Sequence, residues 1–107
     1  MSGGKVESIT VHLPTSAMLT VAERLDEFKA VLTCMPLGLL FDDSELNKVN
    51  IVKMYLSEGG MTAEFRPALT RTLAWKVGMY LLNFTHYNLN IIEEVDGAWL
   101  HTNTNLI

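Results

Sequence analysis

The chain has a single cysteine, Cys34, so no internal disulfide can brace it. That usage fits a reducing compartment, where thiols stay free. Positive charge is also scarce: eight Lys and Arg face twelve Asp and Glu, a net charge of −4. Nucleic acids and anionic membrane surfaces are gripped through clustered cations, and eight scattered ones disfavour both as partners. No apolar run approaches the roughly 20 residues of a membrane span. The opening residues, Met1 to Lys5, lead into an alternating segment rather than an apolar leader. A cytoplasmic location without a membrane partner is therefore expected.

Charged residues make up only 19% of the 107, while 49% are hydrophobic. Mean hydropathy is +0.20, which excludes disorder over most of the length. The length fits one compact domain, 1–107, with 1–4 as a flexible N-terminus. Such a chain can bury a core without metal or disulfide. So little charge for so much apolar material implies that another chain covers part of the surface.

The longest apolar feature is Pro67–Phe84, which the spacing predicts as the central helix. Leu69, Leu73, Val77, Tyr80, Leu81 and Phe84 form one stripe at steps of three and four. Ala68, Trp75, Met79 and Leu82 form a second apolar line. One stripe suffices for a helix that covers a core, so two point to a partner.

Ahead of it, Ile9, Val11 and Leu13 alternate with Ser8, Thr10 and His12, which predicts a half-buried strand ended by Pro14. Ile9–Pro14, ITVHLP, resembles the opening strand of ribbon-helix-helix repressors. Those proteins are shorter and more basic, and the helices that follow do not match. Thr20 and Glu23 have capping-box spacing, with an earlier start at Thr15 or Ser16 also open. Val21, Leu25, Phe28, Leu32 and Met35 then mark an amphipathic helix that stops before Pro36. Cys34 at its end reads as a buried or half-buried structural thiol.

The loop Leu37–Phe41 is unusually apolar for a connection. Leu39, Leu40 and Phe41 either tuck onto the core or form a contact patch. Asp42 and Glu45 predict a further helix N-terminus, with the helix running through Leu46, Val49, Val52 and Leu56 to Gly59-Gly60. Thr62 begins a short turn. Asp96-Gly97 between apolar segments predicts a closing hairpin over residues 90–103.

The expected fold class is α+β: three main helices with an N-terminal strand and a C-terminal β-hairpin around one core.

No catalytic, metal or cofactor residue emerges. The three histidines lack ligand spacing, Glu93 and Glu94 point to opposite strand faces, and Gly59-Gly60 lacks the Lys and Ser/Thr of a phosphate loop. The chain thus reads as a small non-enzymatic protein–protein interaction or assembly module. It would be a structural or adaptor component or accessory factor of a larger complex, of the size and motif poverty of viral or mobile-element proteins. Its partner is a second copy, in a homo-oligomer, or another protein. Trp75, Met79, Leu82, Met61, Leu39, Leu40 and Phe41 are the candidate contact residues. The alternative is a winged-helix-like DNA-binding transcriptional regulator, in which Arg66, Arg71, Thr72 and Lys76 meet the nucleic acid and the hairpin is the wing.

Overall fold

The computed structural model describes residues 4–89 and 100–105. The order of elements is β1 (Lys5–His12), α1 (Thr15–Leu32), α2 (Leu37–Leu40), a 3₁₀ turn (Ser44–Leu46), β2 (Asn50–Ser57), β3 (Gly60–Leu69), α3 (Arg71–Leu89) and β4 (Leu100–Asn105). The four strands make one sheet in the order β2-β3-β1-β4, and every neighbouring pair is antiparallel. Hence β1 and β2 run parallel with β3 between them, and β3 and β4 run parallel with β1 between them. These are two interlocked split βαβ units, the order also called ferredoxin-like. Many unrelated activities use it, so the order alone implies none.

The fold is α+β, but its arrangement corrects the expectation of three main helices around a lone strand and a hairpin. The N-terminal strand is internal, paired through Ile9 to Ala63 on one side and to Thr102 on the other. Ile9 and Val11 are fully buried, with Leu13 following, but Thr10 between them is buried too, at 6% exposure, so this part of the strand is not half-buried as expected. Being paired on both edges, β1 needs no mate from another chain.

The helix expected through Leu46–Leu56 is instead a 3₁₀ turn followed by β2. A bulge between Ile51 and Lys53 shifts the strand's parity, so Ile51 and Met54 both reach the core although they lie three apart. That spacing imitates a helix. The segment expected as a short turn at Thr62 is β3, where Met61, Ala63 and Phe65 alternate inward. Ser57 pairs with Gly60, leaving Glu58-Gly59 as the loop, with Gly59 at φ 79°. The positive φ expected here is present, but it closes a hairpin rather than a helix.

The central helix begins at Arg71, not Pro67. Pro67 lies in β3 beyond the last pair with β2, Asn50 to Arg66. On the other side it falls in the irregularity between Val6 and Ser8. A residue with no N–H is tolerated where the ladder is interrupted. Thr70 then starts α3, its Oγ1 accepting from the Leu73 N–H at 3.3 Å. The helix α1 starts at Thr15 after Pro14, without a side-chain cap. Thr20 sits inside it and bonds back to the Ser16 carbonyl, so the Thr20–Glu23 capping box is not used. The hairpin expected around Asp96-Gly97 lies outside the described residues except for its last strand.

Among the described residues both long helices lie on one face of the sheet. Val21, Phe28 and Leu32 of α1 and Ala74, Val77, Leu81 and Leu82 of α3 share one core with Ile9, Val11, Met61 and Phe65. Burying each large side chain contributes about 1.5–3 kcal/mol. The helix-free face is polar: Thr10 and Thr62 hydroxyls meet at 2.9 Å, and Thr62 meets Ser57 at 2.6 Å.

Candidate functional site

The connection Pro36–Val49 closes one end of the core and contributes Phe41 to a concavity along α3. Leu37 anchors it: the side chain is fully buried and the N–H donates to the Val49 carbonyl at 2.7 Å. Leu46 and Val49 are buried beside it. Gly38 donates no side chain to this packing because Asn47 occupies the space a Cβ would need. Asp43 Oδ1 caps the 3₁₀ turn by accepting from the Glu45 N–H at 3.0 Å.

Asp43 Oδ2 faces α3. It accepts from Tyr80 Oη at 2.9 Å and pairs with Lys76 Nζ at 2.6 Å. Lys76 Nζ also reaches Glu45 Oε1 at 3.0 Å. The Lys76 ammonium, and then the Tyr80 hydroxyl, hold the Asp43 carboxyl below the usual carboxylate range. Asp43 in turn holds Lys76 protonated and raises the Tyr80 phenol. All three groups therefore keep a fixed proton state at neutral pH, and none is poised to exchange a proton there.

The ring of Tyr80 is fixed on its other side by Phe41, stacked at 4.8 Å between centroids and 18° between planes. One turn on, Phe84 meets Phe28 of α1 edge to face at 5.2 Å. Arg24 of α1 donates to the Asn88 carbonyl at 2.9 Å, tying down the end of α3. Between these supports opens a cleft of about 620 Å³, lined by Phe41, Tyr80, Asn83, Phe84, His86, Tyr87 and Asn88. Three of its four aromatic rings are locked by partners. The fourth, Tyr87, is 85% exposed. His86 Nε2 is buried with no hydrogen-bond partner among the described residues. This arrangement offers preset ring faces and side-chain amides, which suit contact with another surface.

The residues expected to meet a partner do not come together. Met61 and Leu82 belong to the core, fully buried and 2% exposed, which leaves them no surface to offer. Met79 and Leu40 pack against that core from its margin. Phe41 does the same while lining the cleft. Trp75 and Leu39 are exposed, at 43% and 67%. The two apolar lines read on the central helix thus resolve into one buried stripe and an isolated exposed tryptophan.

The winged-helix arrangement is corrected as well, since its first two helices are strands β2 and β3. Arg66 lines a small recess with Glu7 and Glu64, Lys76 is engaged by Asp43 and Glu45, and Arg71 and Thr72 are exposed at the start of α3. Cys34 is exposed, not buried, its thiol donating to the Val31 carbonyl at 3.0 Å. Met35, expected in the core, is 37% exposed.

Sequence reasoning missed Asp43, Phe84 and Tyr87 as parts of a site. The signal was present in the spacing of Tyr80, Phe84 and Tyr87, an aromatic line at steps of four and three. Among the described residues no group of three or more His, Cys, Asp or Glu side chains is placed to hold a metal ion. No described helix is long and apolar enough to cross a membrane. No family model, curated protein or solved structure matches the chain.

Proposed function

We propose that this chain is a small non-enzymatic interaction module that associates, with a second copy or with another protein of a larger complex, through the aromatic cleft on α3. The supporting observation is the set of locked rings, Phe41, Tyr80 and Phe84, ending at the 85% exposed ring of Tyr87. Aromatic side chains held in advance supply contact area at little ordering cost, and they dominate binding energy at interfaces. The Asp43–Lys76–Glu45 group beside them has a polar rim's character, with Glu45 62% exposed. A nucleic-acid surface is not supported, because Lys76 is already paired and Arg66 sits beside two carboxylates.

Size exclusion with light scattering over a wide concentration range tests the self-association arm. The expected result is a mass that rises above the 12.0 kDa of one chain and falls back when Tyr87 is replaced by Asp. A strictly monomeric wild type removes self-association. Purified complexes from the native source, compared between wild type and Tyr87→Asp, then test the remaining arm: equal retention of every partner by both proteins rules out the cleft.

A further inference from the structure

The geometry points to a second copy of this chain as the occupant of the cleft on α3, each copy placing its Tyr87 ring in the cleft of the other. This rests on the cleft being the contact surface, as proposed above, and goes further by naming what fills it. Tyr87 is one of the lining residues yet 85% exposed, so its ring stands at the mouth rather than inside. The other lining rings, Phe41, Tyr80 and Phe84, are half-buried, which leaves part of each uncovered. At about 620 Å³ the cleft has room for an added ring. One surface thus carries both a projecting ring and a hollow that takes rings. A two-fold interface demands that combination, because the same patch must serve on both subunits.

Charge favours the same occupant. A chain of net charge −4 repels its own copy, yet the described lining contains no Asp, Glu, Lys or Arg. Beside it, Lys76 already engages Asp43 and Glu45. Two copies meeting here bring no like charges face to face, and a strongly charged partner finds nothing to pair with. The lining amides, Asn83 and Asn88, each offer a donor and an acceptor. Either can therefore bond its own counterpart across a two-fold axis.

Two variants test the exchange. Tyr87→Ala loses the ring and keeps the cleft, whereas Asn83→Trp keeps the ring and fills the cleft. Both positions are exposed, so both chains should fold, which circular dichroism checks. Asn83→Phe takes the place of Asn83→Trp if that spectrum is not native. By light scattering the wild type should settle at twice the 12.0 kDa of one chain. Each variant alone should dissociate at concentrations about tenfold higher or more. An equimolar mixture should recover much of the dimer, because the mixed pair keeps one ring in one open cleft and neither pure pair keeps any. A monomeric wild type overturns the second copy as occupant and leaves the cleft to another protein. A wild-type mass that climbs past two chains overturns the reciprocal exchange. A dimer lost in only one variant, or lost in both and not recovered on mixing, overturns the exchange alone. A dimer that persists in both variants overturns the exchange and the cleft together.

Discussion

Tyr80 donates its phenol proton to Asp43 across 2.9 Å, joining residues 37 apart in sequence. This bond fastens the Pro36–Val49 connection to α3, because the same carboxylate caps the 3₁₀ turn and pairs with Lys76. Removing only the phenol hydroxyl, Tyr80→Phe, keeps the ring stacked on Phe41 and leaves Asp43 with Lys76. Asp43→Ala removes all three contacts. Both variants are expected to unfold at lower urea concentration with an unchanged slope, and Asp43→Ala should lose more. Equal midpoints for wild type and Asp43→Ala would show that the connection is held without this carboxylate.

The same group sets how stability depends on pH. Asp43 has its carboxyl pKa lowered in the folded chain, principally by Lys76. Its contribution is therefore full above the unfolded value of about 4 and is lost as pH falls through the folded value. Lys76 and Tyr80 are both raised. Their contribution is full below unfolded values near 10 and disappears as pH rises through the folded ones. Denaturation midpoints measured in acid should fall less steeply in Asp43→Asn than in wild type. On the alkaline side, Lys76→Met should flatten the decline. Parallel wild-type and Asp43→Asn curves in acid would refute the assignment.

Two glycines are fixed by backbone proximity rather than by turn geometry. A Cβ on Gly38 runs into the Asn47 backbone, and one on Gly60 into the Val11 carbonyl, where β1 and β3 pair. Backbone cannot step aside as a flexible side chain can, so Gly38→Ala and Gly60→Ala should each cost about 1–3 kcal/mol. Gly59 differs. Space around it is ordinary, but its φ of 79° makes Gly59→Ala cost roughly 1–2 kcal/mol. Gly59→Asn should recover part of that loss, since Asn tolerates the left-handed region, while Gly38→Asn should recover none. Thermal unfolding of the five variants separates the two mechanisms.

What could be read from the sequence follows from how local each signal is. The alternation of Ile9, Val11 and Leu13 and the spacing of Val21, Phe28 and Leu32 were legible because one regular element carries each pattern. β2 was misread because Leu46, Val49, Val52 and Leu56 recur at helical spacing, although Leu46 and Val49 are buried ahead of the strand and Val52 is 51% exposed. β3 carried a correct period of two in Met61, Ala63 and Phe65, but Pro67 drew the helix start four residues early. The site was less legible still. Nothing within a turn or a strand encodes the meeting of Asp43 with Tyr80 and Lys76, or of Phe28 with Phe84. Such contacts depend on how α1, α3 and the connection pack together, and that packing is set by the sheet order.

Trp75 and Leu82 share one apolar line on the central helix by spacing, yet the fold gives them opposite roles. Leu82 is 2% exposed among Val77, Leu81 and the sheet, whereas Trp75 is 43% exposed. A glutamate at position 82 must bury an unpaired charge or drag the helix off the sheet. The cost is comparable with the whole stability of a small domain, roughly 5–15 kcal/mol. Leu82→Glu is thus expected to be unfolded by circular dichroism and proton NMR dispersion. Trp75→Glu keeps its charge in water and should fold, with a melting temperature within a few degrees of wild type. If Trp75 also touches the partner, Trp75→Glu will lower the apparent mass by light scattering while its spectrum stays native. A folded Leu82→Glu, or an unfolded Trp75→Glu, would mean that the rotation of α3 about its axis differs from the one described.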